Sequence, residues 1–405
     1  MKEGFSAMDT QQNTPVHQHL WNRDFWLLVI ADLFVAMGVY MQMVYVSAWH
    51  TPEGRGDNTL VWVMAGYGVG LFAMGGFCSL LVQKYRRNRV CLQSLIVMTA
   101  LLAAPALFAP FFRSNVMWAF PLLRFVTGAF YGLVQMVLSS TLVIDCCEAR
   151  QRTGANYATA WFYRFALSLG PLTALLVIRY ADMRMASWVS AGMMAAAFIL
   201  ILLVRIPFKA PEDNLPSFSL DRFLLPQAWV LFIQVFLATC ALGLMTSLFL
   251  AHPVYFAWLM LGFLFALLAE KFVFVKADLK SDTVTGLLLL GAAVLLMMTE
   301  NAAEVLFLAP VLLGLGGGLI GSRFLFFFIN LSEHCQRGTS QSTYFLAWES
   351  GLAIGIGMGL AINNGMLAEV PRNDDVCSIA LACVIVALGM YLGFTHKWYL
   401  HNKKR

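Results

Sequence analysis

Apolar runs of about 20 residues recur twelve times along the 405-residue chain, and no other feature constrains its fold as strongly. A helix rises 1.5 Å per residue, and inside hydrocarbon every backbone polar group must be paired within the segment. Roughly 20 apolar residues therefore make one crossing. The runs lie near 25–47, 60–82, 90–112, 117–145, 155–178, 186–206, 226–247, 252–273, 283–300, 303–332, 340–362 and 376–396. The seventh and eighth are the least clearly divided, because Leu248 to Pro253 is short and itself apolar. The first run, starting near Phe25, is too long for a signal-peptide core and is expected to be a retained span. Charged residues make up only 12% of the chain and hydrophobic ones 60%, where ordinary globular chains carry about 25% charged. A soluble domain is excluded, and an all-α membrane protein is expected.

Basic residues orient the spans. With the N-terminus placed in the cytoplasm, the inner segments collect 19 of the 27 Lys and Arg, among them Lys84, Arg86, Arg87, Arg89, Arg150, Arg152, Arg222 and Arg337. The outer segments hold five, Arg55, Arg113, Arg179, Arg184 and Arg372, and three more lie inside spans. That asymmetry predicts an even number of crossings with both termini cytoplasmic, in a cell membrane such as the bacterial inner membrane. A net charge of +5, spread as short clusters at span ends, does not suggest nucleic-acid binding. The eight cysteines have no metal-ligand spacing, and those inside runs, such as Cys78, Cys240 and Cys383, read as small apolar fillers. Cys146 and Cys147 adjoin an expected cytoplasmic loop, where a reducing compartment argues against a disulfide.

The chain divides into a tail over 1–24, six spans over 25–206, a polar linker over 207–225, six spans over 226–396 and a basic tail over 397–405. A concealed repeat links the halves: Glu148, Gln151, Arg152 and Gly170 match Glu333, Gln336, Arg337 and Gly355 at a constant offset of 185. The matches fall at the entry to spans five and eleven, where parallel-repeat halves correspond.

Twelve spans in two sets of six, both ends inside and a basic loop between spans two and three resemble the major facilitator superfamily (MFS) over essentially the whole chain. The family's signature in that loop is a Gly, an Asp followed by basic residues, and a second Gly. Here Ser79 and Arg86 stand at the Gly positions and Gln83 at the Asp, so only the basic part, with Lys84, Arg87 and Arg89, is present. A second family feature, an Arg in span four followed by Gly, matches Arg124 and Gly128. A third, the Gly-Pro of span five that is characteristic of antiporters, matches Gly170-Pro171, although Ala166, Ala174 and Leu175 stand at flanking positions that usually hold Gly. The resemblance implies two six-helix bundles, and spans one, four, seven and ten around a central cavity.

Five charges sit at bilayer depth: Asp32, Arg124, Arg164, Arg323 and Glu349. Each costs on the order of 2.5–3.5 kcal/mol there, so each calls for a partner or a watery cavity. Asp32 and Arg164 lie at similar depths, roughly 12–14 Å in, and are expected to pair if spans one and five touch. Arg323 and Glu349 share a level on consecutive antiparallel spans and are expected to pair likewise. Both pairs read equally as static neutralising bridges. Arg124 lies nearer the outer side, with no acid at its level. On its own helix Arg124, Gly128, Tyr131, Gln135 and Ser139 form one small-and-polar stripe, which must avoid lipid. Asp32, Ala36, Tyr40 and Met43 form a comparable face on span one, and Gln234 and Asn330 are the cavity candidates of spans seven and ten; polar glue between helices is the competing reading for Gln234 and Asn330. The glycine runs from Gly314 to Gly318 and from Gly351 to Gly359 suit close, sliding helices and rigid ones alike.

The leading expectation is a monomeric secondary transporter working by alternating access, with proton-coupled export of a small organic or amphipathic solute. Asp32 is its first candidate proton carrier and Glu349 its second. Desolvation favours the neutral form of a carboxylate and a nearby Arg the charged one, so partner exchange can load and release a proton. A proton-coupled importer of a nutrient such as a sugar or an organic anion shares every one of these features, and a channel or non-transporting receptor stays open. An enzyme is not expected, because the seven His, at 17, 19, 50, 252, 334, 396 and 401, form no convergent set. No cofactor or metal is implied, and no phosphate-binding glycine loop points to direct drive by ATP.

Overall fold

In the computed structural model, the described residues are 19–50, 59–148, 150–204, 216–274, 278–299, 304–333, 336–363 and 374–404. Lys2, Arg55, Arg205, Lys209, Lys276, Arg372 and Arg405, with much of the 1–24 tail and of the 207–225 linker, lie outside them.

The described chain is helical, and its helices group into twelve spans. These are α1 (Arg23–His50), α2 (Thr59–Ala73, continued by Gly75–Lys84), α3 (Arg87–Leu107), α4 (Val116–Val137, extended through Leu138–Leu142), α5 (Arg152–Tyr180) and α6 (Met183–Leu202). The second set is α7 (Trp229–Ser247), α8 (Pro253–Phe272), α9 (Leu279–Thr299), α10 (Val305–Leu331), α11 (Arg337–Ile362) and α12 (Asp374–Met390, extended through Tyr391–Thr395). Eleven are long and apolar enough to cross singly, and α2 makes the twelfth as two helices bent by 42°.

Packing repeats between the halves. In the first, α1 packs on α5 and α6, α2 on α4, and α3 on α4 and α6. In the second, α7 packs on α11 and α12, α8 on α10, and α9 on α10 and α12, the same pattern six spans later. The halves meet chiefly where α2 packs on α11 and α5 on α8, again a corresponding pair. Two six-helix bundles related by a repeat therefore form the fold.

Glycine sets how closely helices approach. A Cβ on Gly170 would lie 2.8 Å from the Met37 carbonyl oxygen of α1, and one on its repeat mate Gly355 would lie 2.2 Å from the Cys240 carbonyl oxygen of α7. Only a residue without Cβ permits such backbone contact. α5 continues unbroken through Pro171. The bend in α2 has a different origin: Gly75 and Gly76 are covered by the rings of Phe223 and Phe218, which a Cβ on either glycine would strike at 2.0 Å. The Ser219 amide donates to the Gly76 carbonyl (2.9 Å), while the Arg222 and Leu225 amides donate to Thr339 and Thr343 of α11. The end of the linker thus straps the bend of α2 to α11.

Candidate functional site

The face that carries both ends of the described chain, here the terminal face, is closed. Next to a π-helical turn at Leu138–Leu142, a Cβ on Gly338 of α11 would lie 2.7 Å from the Ser140 carbonyl oxygen, so the two halves touch backbone to backbone. A cavity of about 180 Å³ beside this contact is lined by Arg87, Arg152, Arg222 and Arg337 with Asp145 and Asp221. Arg87 is ion-paired with Asp145 at the end of α4. The acid that answers the basic loop is therefore Asp145, in the same half. Lys84 and Arg89 of that loop are exposed. Substituting Gly338 by Val is expected to hold this face open: a pair of spin labels flanking Ser140 and Gly338 would report a separation several ångströms larger, and an unchanged distance would show that the contact is not the closure.

Midway through the bundle lies a second cavity, of about 10 Å³ and room for about one water, lined by Val39, Tyr40, Met43, Met64, Tyr67, Arg124, Glu349, Leu352, Ala353 and Ile356. Glu349 is fully buried. Although carried by α11, its carboxylate is held by three tyrosines of the other half. Tyr67 of α2 donates to Oε2 at 2.6 Å, and Tyr40 of α1 and Tyr163 of α5 both donate to Oε1. Stripping a carboxylate of water costs several kcal/mol, and three hydrogen bonds to the charged acceptor offset that cost. Its neighbour Tyr131 is stacked on Tyr67 and set edge-on to Phe345.

The repeat adds a converse. Arg164 stands 185 residues before Glu349, on the corresponding helix of the first half, and it crosses the other way. Its guanidinium donates to Ser322 of α10 (2.9 Å) and Tyr344 of α11 (3.2 Å). It also lies over the rings of Trp161 and Trp348, 4.7 and 5.8 Å from their centroids. Glu270 of α8 adjoins the same cluster. A base from one half and an acid from the other, at matching positions, each clasp the opposite bundle.

Both expected ion pairs are corrected. Asp32 accepts from Gln135 of α4 (2.7 Å) and not from Arg164; α1 and α5 do pack together, but the two side chains leave that contact in different directions. Arg323 pairs with Asp282 of α9 and not with Glu349. Asp282 sits at the end of its helix, just before the apolar run expected to begin at 283, and so escaped notice as an intramembrane charge. Gln234 donates to the Ala387 carbonyl (2.7 Å) and accepts from Thr395 (3.1 Å), tying α7 to α12 away from the cavity. Asn330 bonds the Tyr399 hydroxyl at the terminal end. Both bond to side chains or backbone of neighbouring helices. The expectation of no acid at the level of Arg124 also fails, because Glu349 lines the same cavity. Tyr67 and Tyr163, which complete the grip on Glu349, carried no sequence signal beyond the neighbouring glycines of α2 and the adjacent Arg164.

A repeated twelve-span bundle, shut over a buried cavity with one acid and one base, is the build of a membrane carrier. The Major Facilitator Superfamily model matches residues 28–356, and the chain belongs to that family. It is a secondary transporter and not an enzyme. A crystal structure of the nucleoside transporter NupG is similar in fold, with a TM-score of 0.63 at 13% identity, over 93% of this chain and 99% of that one. The human organic anion transporter MFSD10 (TETRAN) gives 0.66 at 16% identity, over 91% and 97%. An auto-inhibited peptide transporter of the POT family gives 0.62 at 12%, over 95% and 98%. No curated protein sequence matches significantly.

Proposed function

We propose that the chain moves a small amphipathic organic solute by proton-coupled alternating access, with Glu349 as the group that takes up and releases the proton. The observation that carries this reading is the grip of three first-half tyrosines on a second-half carboxylate. An ionised Glu349 accepts all three hydrogen bonds and holds the halves shut. A proton on it removes one acceptor oxygen and the charge, and the halves part more easily. Coupling follows, because one event changes both the charge of the site and the contact between the bundles.

The lining supports the solute class. Met43, Met64, Val39, Leu352 and Ile356 present apolar surface, while Arg124, Tyr40, Tyr67 and Glu349 present polar groups. Proteins of similar fold carry nucleosides, organic anions and peptides, solutes of this mixed character. The basic residues of the terminal face, Lys84, Arg86, Arg89 and Arg150 among them, support a cytoplasmic location for both ends. Gly170, placed against α1 by close packing, serves import and export equally, so it does not favour antiport.

The test is flux in proteoliposomes loaded with a pH-sensitive dye. An imposed pH gradient should drive solute accumulation, and solute added without a gradient should move protons. Solute exchange that never moves a proton would refute the reading.

A further inference from the structure

We infer that the transported solute is an organic anion, its carboxylate or similarly compact acid group docking on Arg124, with its apolar part in the space that opens between α1, α2 and α11 when the halves part. The inference deepens the reading above and rests on it only for the proton.

Arg124 is 2% exposed, yet no acid lies within ion-pair distance of it among the described residues. Its guanidinium donates to the Gln42 side-chain oxygen (3.0 Å), approaches the Met64 sulfur at 4.0 Å and lies 4.2 Å from the centre of the Tyr67 ring. Its Nε has no hydrogen-bond partner. One amide oxygen, one sulfur and one ring face leave a buried guanidinium short of what it needs, since a buried charge is normally paired and its donors filled. The planar fork is shaped for two parallel oxygens. The unsatisfied Nε belongs to a side chain that lines the cavity, beside Val39, Met43, Leu352 and Ile356. An oxyanion would fill the guanidinium's free donor, and apolar side chains stand beside it.

The groups that face Arg124 are Gln42 and Tyr45 of α1, Tyr67 and Met64 of α2 and Glu349 of α11. Those that face Glu349 are Tyr40, Tyr67, Tyr163 and Tyr131 together with Arg124. Among the described residues, Arg124 and Glu349 are the only two ionic groups in the cavity lining, and Tyr67 bridges them, its ring under the guanidinium and its hydroxyl on the carboxylate. With Glu349 ionised the cavity is neutral. An anion arriving at Arg124 makes it negative, and a proton arriving at Glu349 makes it neutral again. Anion and proton favour one another's binding and travel together, in the sense of symport. A cationic solute would compete with the proton instead, and it would have to lie beside Arg124.

The experiment uses the purified full chain in detergent, with hydrocinnamate and octanoate as probes beside their amides and amines. Thermal shift reads binding, and pH change in weak buffer reads proton uptake. The acids should stabilise the wild type with uptake of protons, whereas the amides and amines should not stabilise it. Arg124→Gln should weaken acid binding at least about tenfold, and Arg124→Lys, which keeps the charge and loses the fork, should fall between. Glu349→Gln should bind the acids without taking up protons. Acids that fail to stabilise the wild type, amides or amines that bind equally well, or a folded Arg124→Gln with wild-type acid affinity would each overturn the anion assignment. Acid binding that depends on Arg124 but takes up no proton in the wild type would support it and overturn the role of Glu349 in coupling.

Discussion

Replacing Glu349 by Gln is expected to abolish concentrative uptake driven by a pH gradient while leaving exchange down a solute gradient measurable. One pH unit corresponds to 1.36 kcal/mol per proton, or about tenfold accumulation, and the variant should fall to none. Gln keeps the shape of Glu and one carbonyl acceptor, so the tyrosines keep part of their grip. What it loses is the ability to change charge, and with it the link between proton and bundle closure. Asp32→Asn is the informative contrast. Asp32 bonds Gln135 inside the first half and does not span the interface, so this variant should keep gradient-driven accumulation. Accumulation lost in Asp32→Asn and retained in Glu349→Gln would assign the proton to Asp32 and end the proposal for Glu349.

The second large effect is on folding. Gly355→Val should cost more than about 3 kcal/mol, above the usual range for overpacking, and appear as a sharply lower melting temperature or loss of monodisperse protein. The reason is the 2.2 Å gap between its Cβ position and the Cys240 carbonyl oxygen, with Gly243 Cα at 3.0 Å. Backbone cannot rotate aside as a side chain can, so α7 and α11 would have to part along their length. Gly389→Ala in α12 is the control. Nothing lies within 4 Å of its Cβ position, so removing a helical glycine there should leave stability unchanged or raise it by up to about 1 kcal/mol. Equal losses in the two variants would mean that close helix approach is not what Gly355 provides.

These two predictions separate two kinds of contact. Gly170 and Gly355 hold α1 to α5 and α7 to α11, within a half. Across the middle of the interface the halves meet through side chains, Glu349 one way and Arg164 the other. Side chains release and re-form more readily than interlocked backbones, so each half can stay rigid while the interface opens. Gly338 against Ser140 differs, a tight backbone contact between halves at the terminal face, which is why a bulkier residue there should act on closure.

Much of this was legible in the amino-acid order. Twelve crossings follow from the thickness of hydrocarbon and the rise of a helix, and the five intramembrane charges stand out because lipid does not tolerate them. The 185-residue offset already set Arg164 opposite Glu349, and Gly170 opposite Gly355. What the order of residues could not reveal was which charge meets which. Counting along a helix gives depth but not the direction a side chain takes around the axis, and neutral tyrosines are no less suitable partners for a carboxylate than an arginine at the same level. Asp32 and Arg164 share a depth on helices that touch, yet they face Gln135 and Ser322. Only the packing of one bundle against the other turned Glu349 towards three tyrosines and left Arg124 beside a cavity with a donor unfilled.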